Sequence, residues 1–392
     1  MTVWDRLVGQ PVAVDQLVAA AWAGRRILAG EAASLAHSWL FTGPPGSGRS
    51  IAALCLAAGL QCTGEEPGCG TCEGCRTVMA GSNPDVVRFS TDAQIFPIRE
   101  VREEWRKVAY SEPTFGRWRI IIVEDADRLQ EDSQNTLLKS LEEPPPRTLW
   151  FLSVPRPDDM LVTVRSRCRH LALVTPPAQD VADLLSQEMG ADPALALRAA
   201  QISQSHIGYA KALVRHPELR ASQVDLFMTA LRVNSVGEAV LAADALVKKA
   251  KSAGEERFNR RHQEEEAALR ADLGVEEGQR LPRGLQSQMR QLADRHKREL
   301  RRAQTDELDR TLVDLLGFFR DVHVVQVGSP VPLINPDLTE ELNLWAGRLS
   351  GESVGQRVDI VQKARRRLKS NMAPLLNVES LLIGLHRPDL AG

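Results

Sequence analysis

At 392 residues the chain is longer than one ordinary hydrophobic core supports and calls for two or three domains. Hydrophobic residues at 43% and charged residues at 26% are globular values, which excludes collagen-like, mucin-like and wholly disordered architectures. Forty-nine Lys and Arg against 51 Asp and Glu leave a formal net charge of −2. That excludes the global basic excess of a protein that coats nucleic acid unaided, while leaving room for a local basic patch.

No run of about 18 apolar residues occurs, and the N-terminus reaches Asp5 and Asp15 without a basic-then-apolar signal pattern, so a soluble, cytoplasmic protein is expected. From about Ser38 to Val174 short apolar runs alternate with helical patterns, as in stacked βαβ units on a parallel sheet. The first run, Trp39-Leu40-Phe41, leads into Gly43-Pro44-Pro45-Gly46-Ser47-Gly48-Arg49-Ser50 and a helix from Ile51. This strand, loop and helix order is the context of a phosphate-binding loop. Gly43, Gly46 and Gly48 let successive N–H groups curl around one anion, and the helix N-terminus adds its dipole. Ser50 fills the last position of the pattern, but Arg49 stands where a lysine would reach the β- and γ-phosphates, and a planar guanidinium is not a clean substitute for a compact ammonium. A glycine-rich turn that never sees nucleotide, a former nucleotide loop with weak or absent function, and a working loop all stay open here.

Four of the six cysteines follow within fourteen residues, Cys62, Cys69, Cys72 and Cys75, with spacing C-x6-C-x2-C-x2-C and glycines between them. A disulfide framework would spread its cysteines, whereas four thiolates on a tight loop close a tetrahedral metal shell. A structural zinc is expected, with an iron–sulfur cluster as chief rival and unmetallated thiols as the bland alternative. Cys55, on the helix after the loop, reads as a core residue.

The second and third runs are Val86-Val87-Arg88-Phe89 and Ile120-Ile121-Ile122-Val123, and the latter ends in Glu124-Asp125-Ala126-Asp127. Carboxylates at that edge resemble a Walker B segment, which holds Mg²⁺ and orients water, but its usual order is Asp then Glu. The inversion at Glu124 and Asp125 is expected to preserve metal binding while misplacing the base by about an ångström, enough to cost on the order of 100-fold. Exposed carboxylates ending a strand are the plainer reading. Leu149-Trp150-Phe151-Leu152 and Leu171-Ala172-Leu173-Val174 complete five strands, with helices expected over Ile98–Ala109, Glu131–Leu141 and Pro157–Val164. Ser166-Arg167-Cys168 precedes the fifth strand, and taken alone Arg167 is a surface charge or a local ion pair.

After Pro176-Pro177 the apolar spacing is helical throughout. Between Lys248 and Arg310, 29 of 63 residues are charged, too many for a core. Leu285, Met289, Leu292, His296 and Leu300, then Leu308, Leu312, Leu315 and Phe319, recur at heptad-like spacing, and Gly274, Gly278, Pro282 and Gly284 interrupt the run before them. Two charged helices folded as a hairpin with its tip near Arg280 are expected, a solvated protrusion or an arm that contacts a partner or nucleic acid.

In this order, Val8-Gly9-Gln10, the phosphate loop, the four-cysteine insertion, Val123–Asp127, Leu137-Leu138-Lys139-Ser140-Leu141-Glu142-Glu143-Pro144-Pro145 and Ser166-Arg167-Cys168 resemble the bacterial clamp-loader AAA+ family. The likeness spans about residues 1 to 215 in specific motifs and the helical remainder only in architecture. It implies an α/β RecA-like AAA+ domain with a five-stranded parallel sheet over 1–175, carrying a zinc module at 62–75. An all-α lid over 176–220 and an all-α collar over 221–392 would follow, the charged hairpin of about 248–310 being an insertion in the collar. Such subunits join as a hetero-pentamer of γ/τ and δ-type chains that opens the sliding clamp and places it on primer–template DNA, as part of a polymerase holoenzyme whose nucleotidyltransferase lies elsewhere.

Arg49, the Glu124-Asp125 order and Gly208, where the hydrolysing γ/τ subunits carry a sensor arginine, imply a member with a degraded ATP site at Gly43, Gly46, Gly48, Arg49, Ser50, Glu124 and Asp125. ATP and Mg²⁺ would bind weakly or not at all, and Arg167 would reach the ATP of a neighbouring γ/τ subunit in trans. Two alternatives stand beside it: a self-sufficient AAA+ ATPase acting on DNA or protein, and a zinc-bearing nucleic-acid module without motor chemistry.

Overall fold

The computed structural model describes residues 2–91, 95–115, 117–272, 286–368 and 372–387, with side chains for all of these except 257 and 260–303. It divides into two compact units, Met1–Arg215 and His216–Gly392.

The first unit is built on β1 (Ser38–Thr42), β2 (Val86–Phe89), β3 (Arg119–Val123), β4 (Thr148–Val154) and β5 (Arg169–Ala172), all parallel in the order β2-β3-β4-β1-β5. The three inner strands are buried along their whole length, which is why they read as unbroken apolar runs rather than as alternating ones. Alternate residues nevertheless part to opposite faces. Trp39, Phe41, Ile120, Ile122 and Phe151 join one core, and Leu40, Ile121, Val123, Trp150 and Leu152 the other. The helices α1 (Pro11–Leu28), α2 (Arg49–Gln61) and α3 (Glu73–Ala80) cover the first face. α4 (Ile98–Glu100) leads into a π-helical turn Val101–Trp105, which with α5 (Arg106–Ala109), α6 (Glu131–Glu142) and α7 (Val162–Arg165) covers the second. Both edge strands carry arginines, Arg88 on β2 and Arg169 on β5, as edges exposed to solvent commonly do.

The expected fifth strand, 171–174, lies two residues too late. The ladder with β1 runs from Arg169 to Ala172, and beyond it the Leu173 amide donates to Thr42 O while the Val174 amide turns to the Gln10 side chain. The expected helix over 157–164 is also split, by extended backbone at Met160 and Leu161. Three helices complete the unit, α8 (Ala178–Met189), α9 (Pro193–Ile202) and α10 (Ile207–Arg215).

The second unit is helical: α11 (Glu218–Leu231), α12 (Val236–Asp272), α13 (Gln286–Val327), α14 (Thr339–Arg348), α15 (Gly351–Leu368) and α16 (Pro374–His386). Leu308, Leu312, Leu315 and Phe319, the second part of the heptad-like series, enter its core beside Phe227, Phe318, Leu342 and Val361. Charged segments of α12 and α13 flank the expected tip near Arg280, which lies outside the described residues, as do the side chains of Met289 to Leu300. Nearer the core, Gln304 of α13 donates to Glu255 of α12 at 2.7 Å. Buried Asp321 accepts from the Ile334 and Asn335 amides and the Asn335 side chain, which ties the α13–α14 connection down. Among the described residues no helix is long and apolar enough to cross a membrane.

Candidate functional site

The loop between β1 and α2 opens at the carboxyl edge of the sheet, where α/β folds place their ligands. Gly46 and Gly48 have φ of +86° and +91°, which only glycine adopts without strain. At Gly43 (φ +151°) a Cβ would stand 2.5 Å from the Leu173 carbonyl oxygen. Gln10 clasps the loop to the end of β5, its Nε2 donating to Val174 O (2.6 Å) and Ser47 O (3.3 Å). Buried Ser47 Oγ has no hydrogen-bond partner.

Arg49 does not point outward from this cradle. Its Nη1 donates to the Gly43 carbonyl of its own loop, and it faces Asp125, Asp127, Glu124 and Asp159. Burial lowers its pKa from the usual arginine value while those carboxylates pull it back up. Ser50 Oγ donates to Glu124 Oε2 at 2.5 Å, and Arg88 of β2 pairs with Glu124 Oε1 at 3.2 Å. Asp125 takes a left-handed backbone at φ +49°, and His206 abuts the loop so closely that a Cβ on Gly46 would lie 3.0 Å from it. The structure therefore brings Gly43, Gly46, Gly48, Arg49, Ser50, Glu124 and Asp125 together. In this arrangement Arg49 and Arg88 face the carboxylates, and the Ser50 hydroxyl donates to Glu124.

The four cysteines fit a metal ion. The Sγ atoms of Cys62, Cys69, Cys72 and Cys75 lie within 4.8 Å of one another. Cys62 Sγ stands 3.6 Å from Cys69 Sγ and 3.7 Å from Cys72 Sγ, near the roughly 3.8 Å edge of a tetrahedron with metal–sulfur bonds of about 2.3 Å. The Cys72 and Cys75 amides each donate to the sulfur three residues back, both at 3.4 Å. Burial pushes the Cys72 thiol up, but the hydrogen bonds from the Cys75 amide and from Thr63 outweigh it and bring the pKa down to about 5. Cys55 is buried apart from this cluster, its thiol against Val3 O and pushed up to about 12 by burial.

Arg167 lies away from the loop contacts, between α7 and β5. Its guanidinium donates to Thr163 O (2.7 Å) and Ser166 Oγ (3.3 Å) and pairs with Glu142 at the end of α6. Two sequence motifs distant in the chain thus meet, Leu141-Glu142-Glu143 and Ser166-Arg167-Cys168. Burial pushes the Cys168 thiol up to about 12, which leaves it unreactive beside an arginine whose side chain is 35% exposed.

A family model described as DNA polymerase III, delta subunit, matches residues 27–177. The delta′ subunit of DNA polymerase III from Escherichia coli is 32% identical over 196 residues, and that from Pseudomonas aeruginosa 33% identical over 174. Over residues 27–177 this chain is similar to the DNA polymerase III delta-subunit family. The aligned stretches are 48% and 43% of this chain, and the chain spans only 57% and 52% of those two delta′ relatives. The tau/gamma subunit of Haemophilus influenzae is 33% identical over 181 residues, 44% of this chain and 26% of that protein. Among solved structures, a DNA polymerase III gamma subunit-related protein from Thermotoga maritima aligns over 89% of this chain and 93% of its own, at 16% identity and a TM-score of 0.39.

Three relationships are not visible in the sequence: Arg88 beside Glu124, His206 beside Gly46, and Glu142, itself within a motif, paired with Arg167. A charge inside the run Val86–Phe89 was the one available signal for Arg88. In the segment that holds Gly208, His206 stands on the loop, with Gly208 behind its ring.

Proposed function

We propose that the chain is a δ′ subunit of a DNA polymerase III clamp loader, which helps place the sliding clamp on primer–template DNA without driving hydrolysis itself. In this reading 1–175 is the AAA+ domain, 176–220 the lid and 221–392 the collar. The collar joins γ/τ and δ subunits in a hetero-pentamer. Cys62, Cys69, Cys72 and Cys75 hold a structural zinc, whose contribution is to tie the loop and which takes no part in a reaction. The observation that carries the reading is the fold-back of Arg49 onto Gly43 beside a Glu124 already engaged by Ser50 and Arg88. A chain so arranged has a use for the family's ring position but not for its own nucleotide site.

Arg167 is the residue through which this subunit acts. Negative charge spreads over the γ-phosphate oxygens in a loose phosphoryl-transfer transition state, and a guanidinium delivered from a neighbour neutralises it. The partial exposure of Arg167 and its place at a helix-to-strand turn support delivery to an adjacent γ/τ subunit. Mixing the purified chain with γ/τ and δ subunits, and reading stoichiometry by native mass and ATPase on adding clamp and DNA, tests the reading. A complex of stated composition with stimulated turnover is expected. Failure to assemble, together with ATP turnover by this chain alone, would point to the self-sufficient ATPase.

A further inference from the structure

The first two metal-ligand cysteines are separated by six residues, a gap long enough to need outside support. That support comes from the N-terminal segment. Trp4 Nε1 donates to Pro67 O at 2.9 Å, and the Val3 amide to Gly68 O at 2.9 Å. Arg25, in the last turn of α1, holds the other end of the gap. Its Nη2 donates to Gly64 O at 2.8 Å and to Cys62 O at 3.4 Å, and its Nη1 donates to Glu65 O. One planar fork thus gathers three carbonyls of the segment that begins at the first ligand. The guanidinium is itself fixed over the Trp22 ring, 5.2 Å from its centroid.

Charge gives a second reason for an arginine here. Four thiolates around a divalent cation leave a net charge of about −2 on a loop that is half out of water. Glu65 and Glu66 add two more negative charges within the same gap. A cation locked onto the loop backbone lowers the cost of gathering these charges, and groups outside the ligand set typically change metal affinity about 10–100-fold. We propose that Arg25 is the clamp of the metal loop, holding the Cys62–Cys69 segment ready for the ion and offsetting the charge of four thiolates, a proposal that rests on the cysteines being metal ligands.

The test uses the full chain as purified, with Arg25→Gln, Arg25→Lys and, as a control on the same helix turn, Arg26→Gln, whose residue pairs with Glu31 away from the loop. Metal per chain is measured by elemental analysis, and zinc transfer to a chromophoric chelator is followed in time. Cobalt(II) substitution reports the ligand geometry through its thiolate charge-transfer band. Arg25→Gln is expected to release zinc about 10–100-fold faster than the natural chain, Arg25→Lys severalfold faster because the charge stays and the fork is lost, and Arg26→Gln at the natural rate. Natural-rate release by both Arg25 variants overturns the clamp, as does equal acceleration by Arg26→Gln. If Arg25→Gln does not fold, Arg25→Lys decides alone: faster release upholds the clamp and unchanged release overturns it. A natural chain that takes up neither zinc nor cobalt defeats the metal reading itself, an outcome separate from any Arg25 result.

Discussion

Arg88 and Glu124 meet across the carboxyl ends of β2 and β3, with Nη2 of the arginine 3.2 Å from Oε1 of the glutamate. The register sets this up, since Arg88 lies beside Ile122 and the Glu124 amide donates to Phe89 O at 2.8 Å. With Ser50 on its other oxygen, Glu124 has both oxygens occupied by the protein itself.

In the proposed reading, with the chain's own nucleotide site degraded, this pairing keeps one substitution from restoring the loop. The isolated chain is expected to hydrolyse ATP no faster than a buffer blank, and Arg49→Lys alone should create no turnover. A lysine would restore one cation, but Glu124 would still be held by Ser50 and Arg88 and the Glu-Asp order would be unchanged. Steady-state phosphate release and titration calorimetry measure both points, and sustained turnover by the homogeneous natural chain would contradict them.

Purified chain should carry about one zinc and no visible iron–sulfur absorbance, as the sulfur spacings require. Structural zinc contributes apparent binding of roughly 10–16 kcal/mol at neutral pH, so chelation should loosen the segment from Cys62 to Cys75 and lower the melting temperature. Well below one zinc per chain, with a stable fold, would sink the expectation.

Much of this site was legible because its parts are local in sequence. The phosphate loop follows a buried strand and opens a helix, and the cysteines sit within fourteen residues, so order and spacing alone point to a loop of the phosphate-binding type and to a metal site. What stayed hidden depends on pairing between distant segments. Nothing in Val86–Phe89 says that Arg88 will stand beside Glu124, because that follows from β2 being the neighbour of β3. The fifth strand was displaced by two residues for a related reason: Arg169 and His170 look polar for a strand, but on an edge their side chains can face solvent. The π-helical turn at Val101–Trp105 also leaves no mark in apolar spacing, since Val101 and Trp105 remain four apart and buried.

Asp314 offers a test in the helical unit. Burial pushes its carboxyl up to about 6 from 3.8, with Glu307 adding to the rise and Gln223, Arg310 and Arg220 opposing it. Between about pH 4 and pH 6 the folded state keeps a proton that the unfolded state has lost. Stability from this group is therefore highest below that window, falls as pH rises through it, and is lowest above it. Ionisation in place costs on the order of 3 kcal/mol. Asp314→Asn should raise the melting temperature at pH 7.5 by several degrees and flatten the gain that the natural chain shows on acidification toward pH 5. Thermal melts across pH check this, and a variant that melts lower at pH 7.5 with the same pH profile would count against it.

Arg167 separates a working ring subunit from an inert scaffold. An arginine finger is worth about 10³–10⁵ in rate at the site it serves. A clamp loader has several ATP sites, so the visible loss from removing one such residue is smaller. Arg167→Ala is expected to leave fold, zinc content and assembly with γ/τ and δ subunits intact, because its contacts with Glu142, Thr163 and Ser166 lie at a surface turn where ion pairs contribute little. Clamp- and DNA-stimulated ATPase of the reconstituted complex should fall severalfold. Arg167→Lys should rescue little, since a point ammonium does not reproduce the planar fork. Glu142→Gln distinguishes the finger from the ion pair: it breaks the same surface contact while leaving the guanidinium in place, so it should not reproduce the loss. Full stimulated turnover and normal clamp loading by an alanine variant that assembles would show Arg167 to be only a surface charge.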